Sequence, residues 1–216
     1  MVGMTPPLLR IMTVCTGNIC RSPMAEAVLR ARLAEAGIGG VAVDSTGISD
    51  EERGNVIDRR AAAVLRDHGY DPLPGHRARQ LDPAQLVERD LVLPMTMQHA
   101  RVVRRLASRA GSLATVRMMR SFDPAETVDD SVVRNALGGS PVTDDLSMRD
   151  GLAVLDTVDV PLEDGVSPIR TFEDRTDWDI ADPWYGGHED FEIALAQIES
   201  AVDGVVAQLR ERVGAR

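Results

Sequence analysis

Short apolar runs and helically periodic stretches alternate along most of this chain, and that alternation restricts the folds open to it more than any other feature. Leu8–Val14 (LLRIMTV) is apolar and partly β-branched and stops at a small polar loop; Pro23–Ala36 then carries helical periodicity through Met24, Ala27, Val28, Ala31 and Leu33. The pattern recurs: Val41–Val43 reads as a strand, Asp58–His68 as a helix with Asp58 as its N-cap, Leu91–Leu93 as a strand and Gln98–Ala107 as a helix. A further strand is expected at Ala114–Met119. Asp190–Val213 closes the chain as a helix with apolar positions at Phe191, Leu195, Ile198, Val202, Val205 and Leu209. Parallel strands need crossover connections that lay helices on the sheet. The expected fold is therefore α/β, a three-layer doubly wound sandwich with a four-stranded parallel sheet and helices on both faces.

A chain of 216 residues suits a single domain, 1–216, and its charge shows where an appendage lies. The net charge is -10, from 34 acidic residues against 24 basic ones, all of them arginine. The segment from Asp123 to Asp177 alone carries 14 acidic residues and 4 arginines, and the rest of the chain holds 20 of each sign. Turn formers (Gly138, Gly139, Pro141, Gly151, Pro161, Gly165, Pro168) punctuate that segment. It is read as an acidic insertion at 125–176, either a lid or a loosely ordered appendage.

Composition also excludes partners. Nucleic-acid affinity comes from clustered cations that neutralise phosphates, and the chain is acidic; Arg101, Arg104, Arg105 and Arg109 read as the solvated face of a helix. No apolar run is long enough to span a bilayer, so no membrane partner and a cytoplasmic location are expected. Two cysteines make no disulfide framework, and the four histidines show no paired spacing, so neither a metal nor another cofactor is expected. A monomer is expected.

The loop after the first strand, Cys15-Thr16-Gly17-Asn18-Ile19-Cys20-Arg21-Ser22, lies where open α/β sheets bind ligands. Such a loop can curl so that successive backbone N–H groups converge on one oxyanion, and Gly17 and Asn18 tolerate the left-handed backbone this needs. Ser22 and Pro23 read as N-cap and first helical residue, which points the positive helix end at the same place. A cysteine facing those dipoles and an arginine has its thiolate favoured, with thiol pKa values falling from about 8.5 toward roughly 4 to 7 in such settings. Arg21 offers a planar fork for two oxygens of the anion. Together these residues suit phosphoryl transfer to sulfur.

A bare Cys-x5-Arg spacing favours the plainer reading, an inert core cysteine and a surface charge. The longer string VCTGNICRSPMAEAV resembles the active-site signature of the low-molecular-weight protein tyrosine phosphatases almost residue for residue. That resemblance implies a phosphotyrosine or aryl phosphate hydrolase with Cys15 as nucleophile, Arg21 and the loop as phosphate cradle, and Asp182 of Asp182-Pro183-Trp184-Tyr185-Gly186 as general acid and base. It implies supporting roles for Asn18, Ser22, Ser45 and His76, and places Ile19, Trp184, Tyr185 and Glu51 on the substrate cleft, Ile19 at its mouth in the manner that goes with phosphotyrosine. Cys20 is read either as loop filler or, by the resemblance, as the partner of Cys15 in a reversible protective disulfide.

Three departures accompany the resemblance. Asp50-Glu51-Glu52 stands where the family commonly has a large aromatic wall, which would disfavour acidic phosphopeptides. Met95-Thr96-Met97-Gln98 replaces a Met-Asp-x-x-Asn-like string, and the acidic segment is extra. Two other readings stay open on these residues: an arsenate reductase of the same fold, which typically has Arg-Ser-Gln and further cysteines where this chain has Arg21-Ser22-Pro23 and none, and a module that binds phospho-ligands without turnover.

Overall fold

A computed structural model describes residues 9–125 and 178–214, with side chains to Glu211. The insertion expected at 125–176 lies, apart from Ala125, outside the described residues. Strand β1 (Leu9–Cys15) leads to α1 (Arg21–Glu35), β2 (Val41–Gly47), α2 (Arg59–Asp67), a one-turn α3 (Pro83–Leu86), β3 (Leu91–Pro94), α4 (Met97–Ala110) and β4 (Thr115–Val116). Short 3₁₀ turns at Met119–Phe122 and Pro183–Tyr185 precede the long closing helix α5 (His188–Gly214). The four strands are parallel in the order β2-β1-β3-β4.

The core has two sides because β1 alternates its side chains across the sheet. Leu9, Ile11 and Cys15 join Val43, Leu91 and Leu93 under α1, α2 and α5, whereas Met12 and Val14 pack with Val92 and Val116 against Leu86 and the α4 residues Val103 and Ala107. This is the three-layer, doubly wound α/β sandwich expected from the alternation. α1 lies between sheet and α5, so Met24, Ala25, Val28 and Leu29 are wholly buried. α5 approaches the 3₁₀ turn at Met119–Phe122 so closely that a Cβ on Gly204 would fall 1.7 Å from the carbonyl oxygen of Phe122.

Most elements differ from their sequence reading by a few residues, with two real departures. The strand expected over Ala114–Met119 is only Thr115–Val116, because after Arg117 donates to the Val92 carbonyl (3.0 Å) the chain tightens into a 3₁₀ turn. The helix expected to start at a Ser22 cap starts instead at Arg21, after Cys20, with no side-chain cap; the Ser22 hydroxyl is engaged elsewhere. Pro23 is tolerated within the first turn, where backbone N–H groups need no helical partner. Asp58 does cap α2, accepting from Arg60 N and Ala61 N. On α4, Arg101, Arg105 and Arg109 are solvated as expected, and half-buried Arg104 reaches the Val116 carbonyl (3.3 Å).

β2 lies on one side of β1 and β3 on the other, so the crossover direction reverses at β1. The carboxyl end of β1 is the crevice where doubly wound sheets bind ligands. The register puts Cys15 opposite Gly47 and Val14 opposite Pro94, so three strand ends open onto the same loop.

Candidate active site

The loop from Cys15 to Ser22 is tied down from outside itself. Ile48 N donates to the Cys15 carbonyl (2.9 Å), Ser49 N to Thr16 O (3.0 Å) and Asp58 N to Ile19 O (2.9 Å). Gly47 permits this closeness: a Cβ there would lie 2.3 Å from Thr16 O and 3.0 Å from Asn18 N. Asn18 takes the left-handed conformation (φ 62°), which Asn adopts more readily than most residues.

Asn18 is the hub of the loop. Its Nδ2 donates to Ser22 Oγ and Ser45 Oγ, both at 2.9 Å, its Oδ1 accepts from Arg79 N (3.0 Å), and its carbonyl meets His76 Nε2 at 2.7 Å. Ser22 Oγ also lies 3.1 Å from Cys15 Sγ and 3.2 Å from the Thr46 carbonyl. Its single proton can go to only one of them. Over a protonated sulfur it serves Thr46; over a thiolate it turns to the sulfur, whose other donor is Asn18 N (3.3 Å).

Several other donors of this loop lack partners. The backbone N–H groups of Gly17, Ile19 and Cys20 have no protein acceptor among the described residues, and neither has buried Arg21 Nε. Donors are rarely left so inside a protein, and a loop that offers several of them together suits an oxyanion. The Arg21 guanidinium is otherwise held: Nη1 donates to the Ile180 carbonyl (3.0 Å), and Nη2 to Thr16 Oγ1 (3.3 Å) and Asp182 Oδ2 (2.6 Å).

Asp182 reaches the site because its segment is fastened to the β3 end, with Ile180 N donating to Met95 O (2.9 Å) and Met97 N to Asp179 Oδ1 (2.6 Å). Its carboxylate is 42% exposed and caps the following turn through Trp184 N. Arg60 secures that turn from the far side: Nη1 donates to the Trp184 and Gly186 carbonyls, and the guanidinium lies 5.4 Å from the Trp184 ring and 4.6 Å from that of Phe191.

The two cysteines are both reduced and both buried. Burial, reinforced by the Asp58 charge, pushes the Cys20 thiol far above its ordinary range, so it stays protonated. Ile19 is only 7% exposed and belongs to the core, leaving little of it for a ligand at the cleft mouth. Trp184 (38%) and Tyr185 (94%) stand open beside Asp182. The acidic stretch is at the loop itself: a Cβ on Gly17 would meet Glu52 Cγ at 2.8 Å and Glu51 Oε1 at 3.6 Å.

Sequence reasoning missed Arg60, the Arg79 backbone donor and His99. Buried His99, on α4, places Nε2 3.0 Å from Thr16 Oγ1. Met95-Thr96-x-x-His99 runs in register with the Met-Asp-x-x-Asn-like string, so the signal lay one residue beyond the departure noted at Met95–Gln98.

A buried cysteine in a donor-rich loop, with an arginine and a carboxylate paired at the same strand end of a doubly wound sheet, is an arrangement suited to phosphate ester chemistry. The family model described as low molecular weight phosphotyrosine protein phosphatase matches residues 10–142 and 161–215. A low molecular weight protein-tyrosine-phosphatase of Streptomyces coelicolor is 37% identical over 208 residues, covering 96% of this chain and 97% of that protein. Low molecular weight protein-tyrosine phosphatase A of Mycobacterium tuberculosis is 36% identical over 206 residues, covering 95% and 94%. Among solved structures, Primo-1 superposes with a TM-score of 0.63 at 28% identity, over 90% of this chain and 94% of its own. The chain belongs to the low molecular weight phosphotyrosine protein phosphatase family, whose members are phosphomonoester hydrolases. No helix of the described residues is long and apolar enough to cross a membrane.

Proposed function

We propose that this enzyme hydrolyses phosphotyrosine in proteins, and aryl phosphates generally, through a phosphocysteine intermediate. The observation that carries the reading is the set of donors without an acceptor among the described residues, Gly17, Ile19 and Cys20 N–H with Arg21 Nε, all in the loop that begins at Cys15.

In this reading the donors hold the phosphoryl oxygens while the Cys15 thiolate attacks phosphorus. The bond to the aryl oxygen breaks, and that oxygen leaves with its electron pair and takes a proton from the Asp182 carboxyl. Water then attacks the thiophosphate and gives a proton to the Asp182 carboxylate. The sulfur–phosphorus bond breaks with its pair returning to sulfur, where the Ser22 hydroxyl turns to receive it. Charge in both transition states rests on Arg21 and the loop amides, which are in place beforehand.

Relatives named as phosphatases over nearly the whole chain do not favour an arsenate reductase, and a carboxylate poised at the site does not favour a binding module without turnover. Purified protein tested on an aryl phosphate and a phosphotyrosine peptide, beside Cys15→Ser and Asp182→Ala, decides the matter. The first variant should be inactive and the second slowed by about 10²–10⁴-fold. Phosphate binding without turnover by the wild type would overturn the proposal.

A further inference from the structure

His99 lies wholly inside the protein, at the start of α4, and belongs to none of the roles above. Its ring reaches the loop at one atom, Nε2, 3.0 Å from Thr16 Oγ1; Nδ1 is buried with no hydrogen-bond partner among the described residues. Thr96 Oγ1 fixes the start of the helix by accepting from His99 N (3.2 Å). Thr16 in turn accepts from Arg21 Nη2 at 3.3 Å, the same nitrogen that holds Asp182 at 2.6 Å. One chain of contacts thus runs from His99 through Thr16 to Arg21 and Asp182.

Burial and the nearby Arg21 guanidinium hold the imidazole far below its ordinary value, at about 3, so the ring is neutral. A neutral ring carries one N–H, and a buried donor without a partner costs more than a bare acceptor nitrogen. The proton therefore belongs on Nε2, donated to Thr16, with Nδ1 bare. The two lone pairs of Thr16 Oγ1 are then filled by His99 and Arg21, and its own proton is directed away from both. A threonine hydroxyl free to rotate would offer Arg21 no fixed acceptor.

We infer that His99 is a positioning residue for phosphoryl transfer: by pinning the Thr16 hydroxyl it sets the plane of the Arg21 guanidinium, the group that grips the phosphoryl oxygens. The inference rests on the phosphatase reading of this site. Because Arg21 binds the trigonal-bipyramidal transition state more tightly than the substrate, loosening it lowers kcat more than it raises KM.

The test is a double-mutant cycle in the full-length protein with His99→Leu and Thr16→Val, reading kcat and KM for p-nitrophenyl phosphate and calorimetric affinity for orthovanadate. Each single variant should lose roughly tenfold in kcat/KM, mostly in kcat, with a parallel loss of orthovanadate affinity. The double variant should fall within about twofold of Thr16→Val alone, since both remove one linkage. Full multiplication of the two losses, or an unchanged His99→Leu, overturns the inference. Should leucine impair folding, His99→Gln, whose amide reaches as far as Nε2, is expected to keep activity and the shorter His99→Asn to lose it; the opposite order overturns the inference. If the wild type turns over no aryl phosphate, the phosphatase reading fails, while orthovanadate affinity across the same variants still tests His99.

Discussion

Asp182 Oδ2 sits 2.6 Å from Arg21 Nη2, so the group assigned to proton transfer and the group assigned to phosphate binding hold each other when no anion lies between them. In the proposed reaction a dianion entering the loop takes Arg21 for itself and frees the carboxyl to carry its proton to a leaving oxygen. Phosphate and Asp182 thus compete for one guanidinium. Asp182→Ala is predicted to slow turnover by about 10²-fold or more while binding inorganic phosphate as tightly as the wild type or more tightly. Calorimetric titration of both proteins with phosphate checks it; weakened binding would count against the competition.

Gly47 is predicted to be irreplaceable for a reason unrelated to its own backbone angles. A methyl group there would press on Thr16 O and Asn18 N, both part of the phosphate loop. Gly47→Ala should cost about 1–3 kcal/mol of stability, as overpacking does, and lower kcat/KM more than the lost stability alone explains. Urea unfolding beside steady-state kinetics separates the two effects.

Much of this was legible in the sequence because it is local. The strand-loop-helix order, the anion loop and the Asp58 cap each rest on a few contiguous residues, whereas Asp182, in one of several Asp-Pro pairs, was singled out only by the family resemblance. Ser45 and His76, 27 and 58 residues from Asn18 along the chain, were reachable only through the family resemblance, and the Arg79 donor, 61 residues away, was not reached at all. Arg60, which no local pattern singles out, clamps a turn more than a hundred residues later. The Ser22 cap was misread because a hydroxyl at a helix start suits either a cap or the cysteine sulfur, and only the fold decides.

Glu51 and Glu52 flank Gly17 at the rim of the loop. Negative charge there repels substrates with acidic residues beside the phosphotyrosine. Glu51→Gln with Glu52→Gln is predicted to raise kcat/KM for an acidic phosphopeptide several-fold, roughly 2- to 10-fold, with little change for p-nitrophenyl phosphate and with the gain shrinking at high salt. Equal effects on the two substrates would remove these residues from specificity.

His99 also predicts an acid limb to stability. The unfolded chain takes up a proton on this ring below about pH 6.5, the folded protein only near 3, so between those values the unfolded state binds more protons and stability is lost as the pH is lowered. The wild type should lose about 2 kcal/mol more than His99→Gln between pH 6.5 and 5, measured by urea unfolding at each pH. Parallel losses would show that the ring is free to charge in the folded state.

The central claim is that Cys15 carries the phosphoryl group. Asp182→Ala in a Cys20→Ser background, mixed with a phosphotyrosine peptide and acid-quenched within the first turnover, should yield by fragment-ion mass spectrometry a phosphate on the sulfur of Cys15. Turnover of the peptide with no phosphate on that sulfur, or with phosphate on another residue, would contradict the account.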